Sequence, residues 1–226
     1  DNSAVWVRAT DAEVAINEVF PGFEMRLTAQ LEEADGQRSL HGLTAYEVLE
    51  RDGAQPEPVA VAPGDVTTGG ARAAALDAVL VSVSDVSATR VSFDFTFEVA
   101  DVLTIGGWLT QLFPTPIVGS TFERITGVVR TADAVTRLEP RGPQDFLRGP
   151  PRLAEFGPGQ VTALSTGRAD VPLGEFQSPL VLRLDAPVPA EGLVISMSSD
   201  DPEALSVEDV VIDAGNSEAS VAVTGN

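Results

Sequence analysis

The chain has 226 residues, 43% hydrophobic and 21% charged, enough for one large domain or two small ones. Its net charge of −20 comes from 34 acidic residues against 14 basic ones, which argues against a phosphate-binding or anionic-membrane surface. With no Cys and a single His (His41), disulfide scaffolds, zinc–thiolate sites, thiol catalysis and paired-imidazole sites are excluded.

All the basic residues are Arg, and no apolar run approaches the length of a helical membrane span. Val, Thr and Ser are abundant, and Gly and Pro recur as punctuation, which predicts a β protein of short strands. Val5–Ala9 and Glu13–Val19 read as short extended pieces, with Phe20-Pro21-Gly22-Phe23 as a turn. Met25–Glu32 alternates, with Met25, Leu27, Ala29 and Leu31 on one face and Arg26, Thr28 and Gln30 on the other, as a half-buried strand should. A break at Ala34–Gln37 returns the chain through Ser39–Glu50, where Leu40, Leu43, Tyr46 and Val48 are core candidates.

The Pro-rich stretch Asp52–Asp65 is extended connection. Gly69-Gly70 leads into Ala71–Leu76, the best short helix in the chain on propensity. Val79, Val81 and Val83 alternate with Leu80, Ser82 and Ser84 in a strand. Val91–Val99 sets Phe93, Phe95 and Phe97 at period two against Asp94, Thr96 and Glu98, so the three rings are expected to pack into a core rather than form an exposed partner-binding stripe. Ile105–Leu112 reads as a turn or one helical turn, and Thr121–Arg130 as a strand-pair corner around Gly127. Pro and Gly between Leu147 and Gly159 place a domain boundary. Beyond it, Leu180, Leu182 and Leu184, then Leu193, Ile195 and Met197, mark short alternating strands, followed by Val210–Ile212 and Ala219–Val223. The charge is shared, about −11 in residues 1–150 and −9 in 151–226, so neither half is a hidden basic module.

Two stretches resemble known families. Pro63-Gly64-Asp65-Val66-Thr67-Thr68-Gly69-Gly70-Ala71 with Ala78–Val83, then Gly119–Val129, then Leu138-Glu139-Pro140-Arg141 and Asp145, resemble in order the OB-fold-like module of secreted bacterial nucleases and large surface proteins. Phe176–Val223 resembles an immunoglobulin-like repeat of bacterial surface proteins, through Pro179–Leu184, Ala186–Gly192, Ser198–Pro202 and Ala214-Gly215-Asn216. The resemblance implies an all-β chain: an OB-like β-barrel over 1–148, a linker over 149–164 and an immunoglobulin-like β-sandwich over 165–226, with one or two short helices. Relative to those families both ends look cut short. The chain then reads as a piece of a larger surface protein, or as a subunit whose open sheet edges are completed by copies of itself.

Catalysis by His41 lacks a nucleophile elbow or an orienting acid, so a surface histidine is expected and no catalytic or cofactor-binding residue is assigned. Base stacking by Trp6, Tyr46, Phe93, Phe95 and Phe97 is disfavoured by the acidity of this half. Asp65 with Thr67 and Thr68 before Gly69-Gly70 reads as a helix entry, since no Lys completes a phosphate loop. The densest acidic turn, Asp200, Asp201, Glu203 and Asp209, is the candidate calcium site, because hard cations take clustered oxygens. The expected function is a non-catalytic structural or adhesive unit, secreted or at the cell surface, with protein partners and neither nucleic acid nor membrane insertion. The alternatives are accessory domains of a secreted hydrolase or nuclease, and a calcium-dependent carbohydrate-binding module.

Overall fold

The computed structural model describes residues 4–9, 20–34, 37–158, 180–221 and 223–225. It is nearly all strand; among the described residues the helical elements are two three-residue 3-10 turns, Pro63–Asp65 and Pro143–Asp145. The chain divides into two compact units, Asp1–Gln111 with Phe122–Leu147, and Leu112–Thr121 with Arg148–Asn226.

In the first unit β1 (Trp6–Val7) runs parallel to β3 (Gln37–Glu50), which pairs antiparallel with β2 (Glu24–Ala34). The alternation seen in the sequence is the packing pattern. Met25, Leu27 and Ala29 are half-buried, Arg26, Thr28 and Gln30 are exposed, and Leu43 is buried on the returning strand. Leu31 departs from it and is exposed together with Glu32 and Glu33 beside it.

Next come β4 (Val59–Ala60), β5 (Leu80–Val91), β6 (Phe97–Val99), β7 (Leu103–Ile105), β8 (Thr121–Ala132), β9 (Val135–Glu139) and β10 (Phe146–Arg148). β5, β6, β7, β9 and β8 are neighbours in that order, and β8 pairs back onto β5, which closes a five-stranded barrel. Closure satisfies the backbone on both sides of every barrel strand and leaves β4 and β10 as additions outside the ring. Val81, Val83, Val99, Leu103, Ile105, Ile125, Val129 and Leu138 are fully buried, and Phe97 stacks on Phe122 with ring centroids 5.4 Å apart. β8 passes through Gly127 as one continuous strand, not as a corner.

Two local expectations are corrected. Ala71–Leu76 forms a chain of turns instead of a helix: Leu76 N–H bonds the Arg72 carbonyl at 3.0 Å, but Ala73 N–H bonds Gly70 and Arg72 N–H bonds Asp65. Six residues are too few to offset helix nucleation, so contacts of Val66, Ala73 and Leu76 with the core decide the path. Val91–Val99 is not one amphipathic strand but the tip of the β5–β6 hairpin. Asp94 Oδ1 accepts from Thr96 N–H (3.2 Å) and Thr96 Oγ1 (2.7 Å), Ser92 N–H bonds the Thr96 carbonyl, and Phe95 takes a left-handed φ of 64°. This side-chain-capped turn overrides the period-two pattern. Of the three rings only Phe97 enters the core, while Phe93 and Phe95 are exposed.

The segment that carried the OB-like resemblance closes the unit. The Asp145 carboxylate accepts from Arg141 N–H (2.8 Å), Nε (2.9 Å) and Nη2 (2.7 Å), locking the turn that leads into β10.

The second unit contains β11 (Leu153–Pro158), β12 (Leu180–Leu184) and β16 (Glu218–Val221) in one antiparallel sheet. β13 (Leu193–Ile195) pairs with β15 (Val210–Ile212), and β14 (Leu205–Val207) with β17 (Val223–Gly225). Leu180, Leu182, Leu184, Val188, Val210, Ile212, Val221 and Val223 form its core, with Leu193, Ile195 and Met197 packed against it, as the alternation predicts. The main segment of this unit begins at Arg148, and β11 lies at Leu153–Pro158. The segment 112–121 also belongs to this unit. Its Ser120 Oγ bonds Asp185 Oδ2 and accepts from Ile117 N–H at 2.9 Å, while Arg152 N–H reaches Asp185 Oδ1 at 2.6 Å and Arg152 Nη1 the Gly119 carbonyl at 2.5 Å.

Candidate functional site

The residues assigned to calcium do not form a cage. Asp200, Asp201, Glu203 and Asp209 are all exposed. Asp201 caps its own turn, accepting from Ala204 N–H at 3.3 Å, and Asp209 accepts from Met197 N–H at 3.0 Å and Ser196 Oγ at 3.4 Å, which ties the end of β13 to the segment before β15. Among the described residues no three His, Asp or Glu side chains converge as metal ligands would. His41 lies on β3 opposite Gln30, half-exposed, its Nε2 3.3 Å from Glu32 Oε2. Thr67 and Thr68 brace the barrel: Thr67 Oγ1 bonds the Val102 carbonyl, and Thr68 Oγ1 accepts from Thr136 N–H at 3.0 Å.

The buried ionisable groups act on backbone. Burial holds the Asp77 carboxyl above its ordinary value of 3.8, against the opposing hydrogen bond from Thr131 N–H at 2.9 Å. Burial draws the Arg148 guanidinium down to about 10, partly countered by the nearby Asp185 charge; its Nη2 bonds the Pro114 carbonyl. Glu139, fully buried at the end of β9, accepts from Trp108 N–H at 3.0 Å and lies against Gly106, where a Cβ would overlap both carboxylate oxygens. The Trp108 ring then carries the Arg130 guanidinium 4.3 Å from its centroid and meets the Trp6 ring in a T-shaped contact, centroids 5.7 Å apart.

A different site lies at the open end of the β2–β3 hairpin. An open groove of about 380 Å³ is lined by Gly22, Phe23, Glu24, Glu50, Gly53, Ala54 and Pro56, and both glutamates are exposed. The two glycines touch backbone to backbone: a Cβ on either would lie 2.8 Å from the other's carbonyl oxygen. The register sets Glu24 directly across from Glu50. Among the described residues neither carboxylate makes an ion pair, whereas Glu47 is held by Arg26 at 2.9 Å and Glu33 by Arg38 at 3.1 Å. The Phe23 ring has Phe20 against it at 5.5 Å and the Arg51 guanidinium 5.3 Å from its centroid.

Sequence reasoning missed this site for a definite reason. Carried without shift from the Ala34–Gln37 pair, the register would set Glu24 opposite Glu47; two register shifts, at Thr28/Gln30 and at Glu24/Met25, bring Glu50 there instead. Compared with family profiles, with curated proteins and with solved structures, the chain shows no match.

Proposed function

We propose that the chain is a non-catalytic structural or adhesive unit that works outside the cell and associates with copies of itself by strand addition. The observation that carries this reading is the width of the second unit's sheets. Their described ladders are three, two and two strands wide, so outer strands such as β13 and β14 have a ladder partner on one side only among the described residues. Edge backbone of this kind is a template for a further strand. The use of buried charge agrees with a holding role, since Asp77, Asp145 and Asp185 each accept from backbone N–H groups that fix turns and strand ends. The immunoglobulin-like and OB-like resemblances support the same class of surface protein. The closed barrel favours, as a second reading, an accessory module of a secreted nuclease or hydrolase.

Sedimentation velocity and negative-stain electron microscopy of the full chain over a concentration series test the proposal. The expected result is concentration-dependent linear assembly. A monomer that persists to the solubility limit would overturn it.

A further inference from the structure

We infer that one face of the barrel, formed by Arg130, Arg137, Trp108 and Phe93, docks the outer face of the β13–β15 ladder of a second copy of the chain. Arg130 and Arg137 stand directly opposite each other on β8 and β9, both half-buried, and among the described residues neither is in an ion pair. Like charges so placed repel unless a counter-charge joins them. The Arg137 Nε is buried and has no hydrogen-bond partner among the described residues, which leaves a charged donor short of an acceptor. The acid beside it, Asp94, is already engaged: its carboxyl is held below the ordinary value of 3.8 first by the hydrogen bonds from Thr96 and least by the Arg137 charge. Apolar side chains adjoin the pair. Trp108 lies against Arg130 and is exposed, as are Leu109 after it and Phe93 next to Asp94. Exposed Trp and Phe rings beside Arg are the residue types that dominate protein interfaces.

The complementary surface belongs to the second unit. Residues 184–226 hold nine acids and no base. On the outer face of the β13–β15 ladder, Val194 and Val211 are directly opposite each other and both exposed. Glu191, two residues before β13, and Asp213, directly after β15, lie at the same end of this ladder; both are exposed and, among the described residues, in no ion pair. An apolar pair flanked by carboxylates thus matches an apolar patch that carries two guanidiniums. Each Arg can offer its planar fork to a carboxylate, and Arg130 can do so with its flat face still on Trp108. Both halves of the match occur in one sequence, which commits the occupant to a second copy. The two faces differ, so the contact is heterologous and repeats from copy to copy as an open chain. This inference rests on the proposed self-association and adds to strand addition a contact that sets its direction.

Sedimentation velocity of charge-reversed full chains tests it. Arg130→Glu/Arg137→Glu and Glu191→Arg/Asp213→Arg are each expected to weaken association about tenfold or more, and an equimolar mixture of the two is expected to recover it, since the reversed face of one then meets the reversed face of the other. General repulsion predicts otherwise. Each reversal shifts the charge by two, so the first variant goes from −20 to −24 and the second to −16, and on repulsion alone the second would associate more tightly than the parent. Thermal melts establish that each variant folds; Arg130→Gln/Arg137→Gln, expected to show a loss of the same sign, replaces the first if it does not. A parent that stays monomeric overturns this inference together with the self-association on which it rests. A parent that assembles while either variant assembles as well or better, or while the mixture fails to recover, overturns this inference alone.

Discussion

Replacing Asp145 by Ala tests how the turn into β10 is held. Asp145 is 5% exposed and accepts three hydrogen bonds, all from Arg141. Its removal leaves one backbone N–H without its acceptor and one guanidinium without its counter-charge. Breaking a fully buried pair costs about 3–5 kcal/mol. The Arg141 side chain keeps about a third of its surface in water and can turn outward, which recovers part of that loss. The expected destabilisation of the first unit is therefore about 2–3 kcal/mol, or roughly 5–10 °C in Tm for a body of this size. Asp145→Asn, which can still accept from Arg141 N–H, should lose about half as much. Both tryptophans, Trp6 and Trp108, lie in the first unit, so urea unfolding followed by tryptophan fluorescence reports on that unit directly. An Asp145→Ala midpoint within about 0.5 kcal/mol of the parent would refute the reasoning and show that other contacts hold this turn.

Three further outcomes follow from named contacts. Asp77→Asn should stabilise the first unit at neutral pH. Burial raises the Asp77 pKa, so in the parent this group's contribution is greatest below its ordinary value and is lost as pH rises through the folded value. The advantage of Asn should accordingly vanish on acidification, and melts that show the same gain at every pH would contradict it. Ala134→Gly should stabilise by about 1 kcal/mol in denaturant titrations, because Asp133 and Ala134 link β8 to β9 with φ of 51° and 60°, a two-residue turn that strains any residue with a Cβ; a loss of stability would contradict that. Gly106→Ala should destabilise by about 2–3 kcal/mol through overlap with the Glu139 carboxylate, and Glu139→Ala introduced with it should restore part of the loss; strictly additive effects would exclude that contact as the cause.

The legible parts of the fold were those in which alternation and burial coincide. Met25, Leu27 and Ala29 on β2, Val81 and Val83 on β5, and Leu180, Leu182 and Leu184 on β12 all face inward as read. The same pattern misled at Phe93 and Phe95, where the Asp94–Thr96 turn costs less than extending the strand and leaves two rings in water. Ala71–Leu76 has helical propensity but no length over which to express it. The acidic turn at Asp200–Asp209 drew attention by charge density, yet density along the chain does not bring oxygens to one point: Asp201 and Asp209 turn to backbone amides instead. The Glu24–Glu50 groove is the converse case, two acids 26 positions apart made neighbours by register shifts that a residue string does not display.

Segment 112–121 leaves the barrel sequence between β7 and β8, yet its anchor Asp185 stands far downstream. During synthesis on a ribosome, both strands that flank this segment emerge well before the residue that clasps it. The loop must therefore wait, tethered at each end to nascent barrel strands, until most of the remaining polypeptide has been made. A stop codon placed just after Leu147 would leave it permanently without that clasp, so splitting the gene at the apparent boundary would not yield two self-sufficient halves.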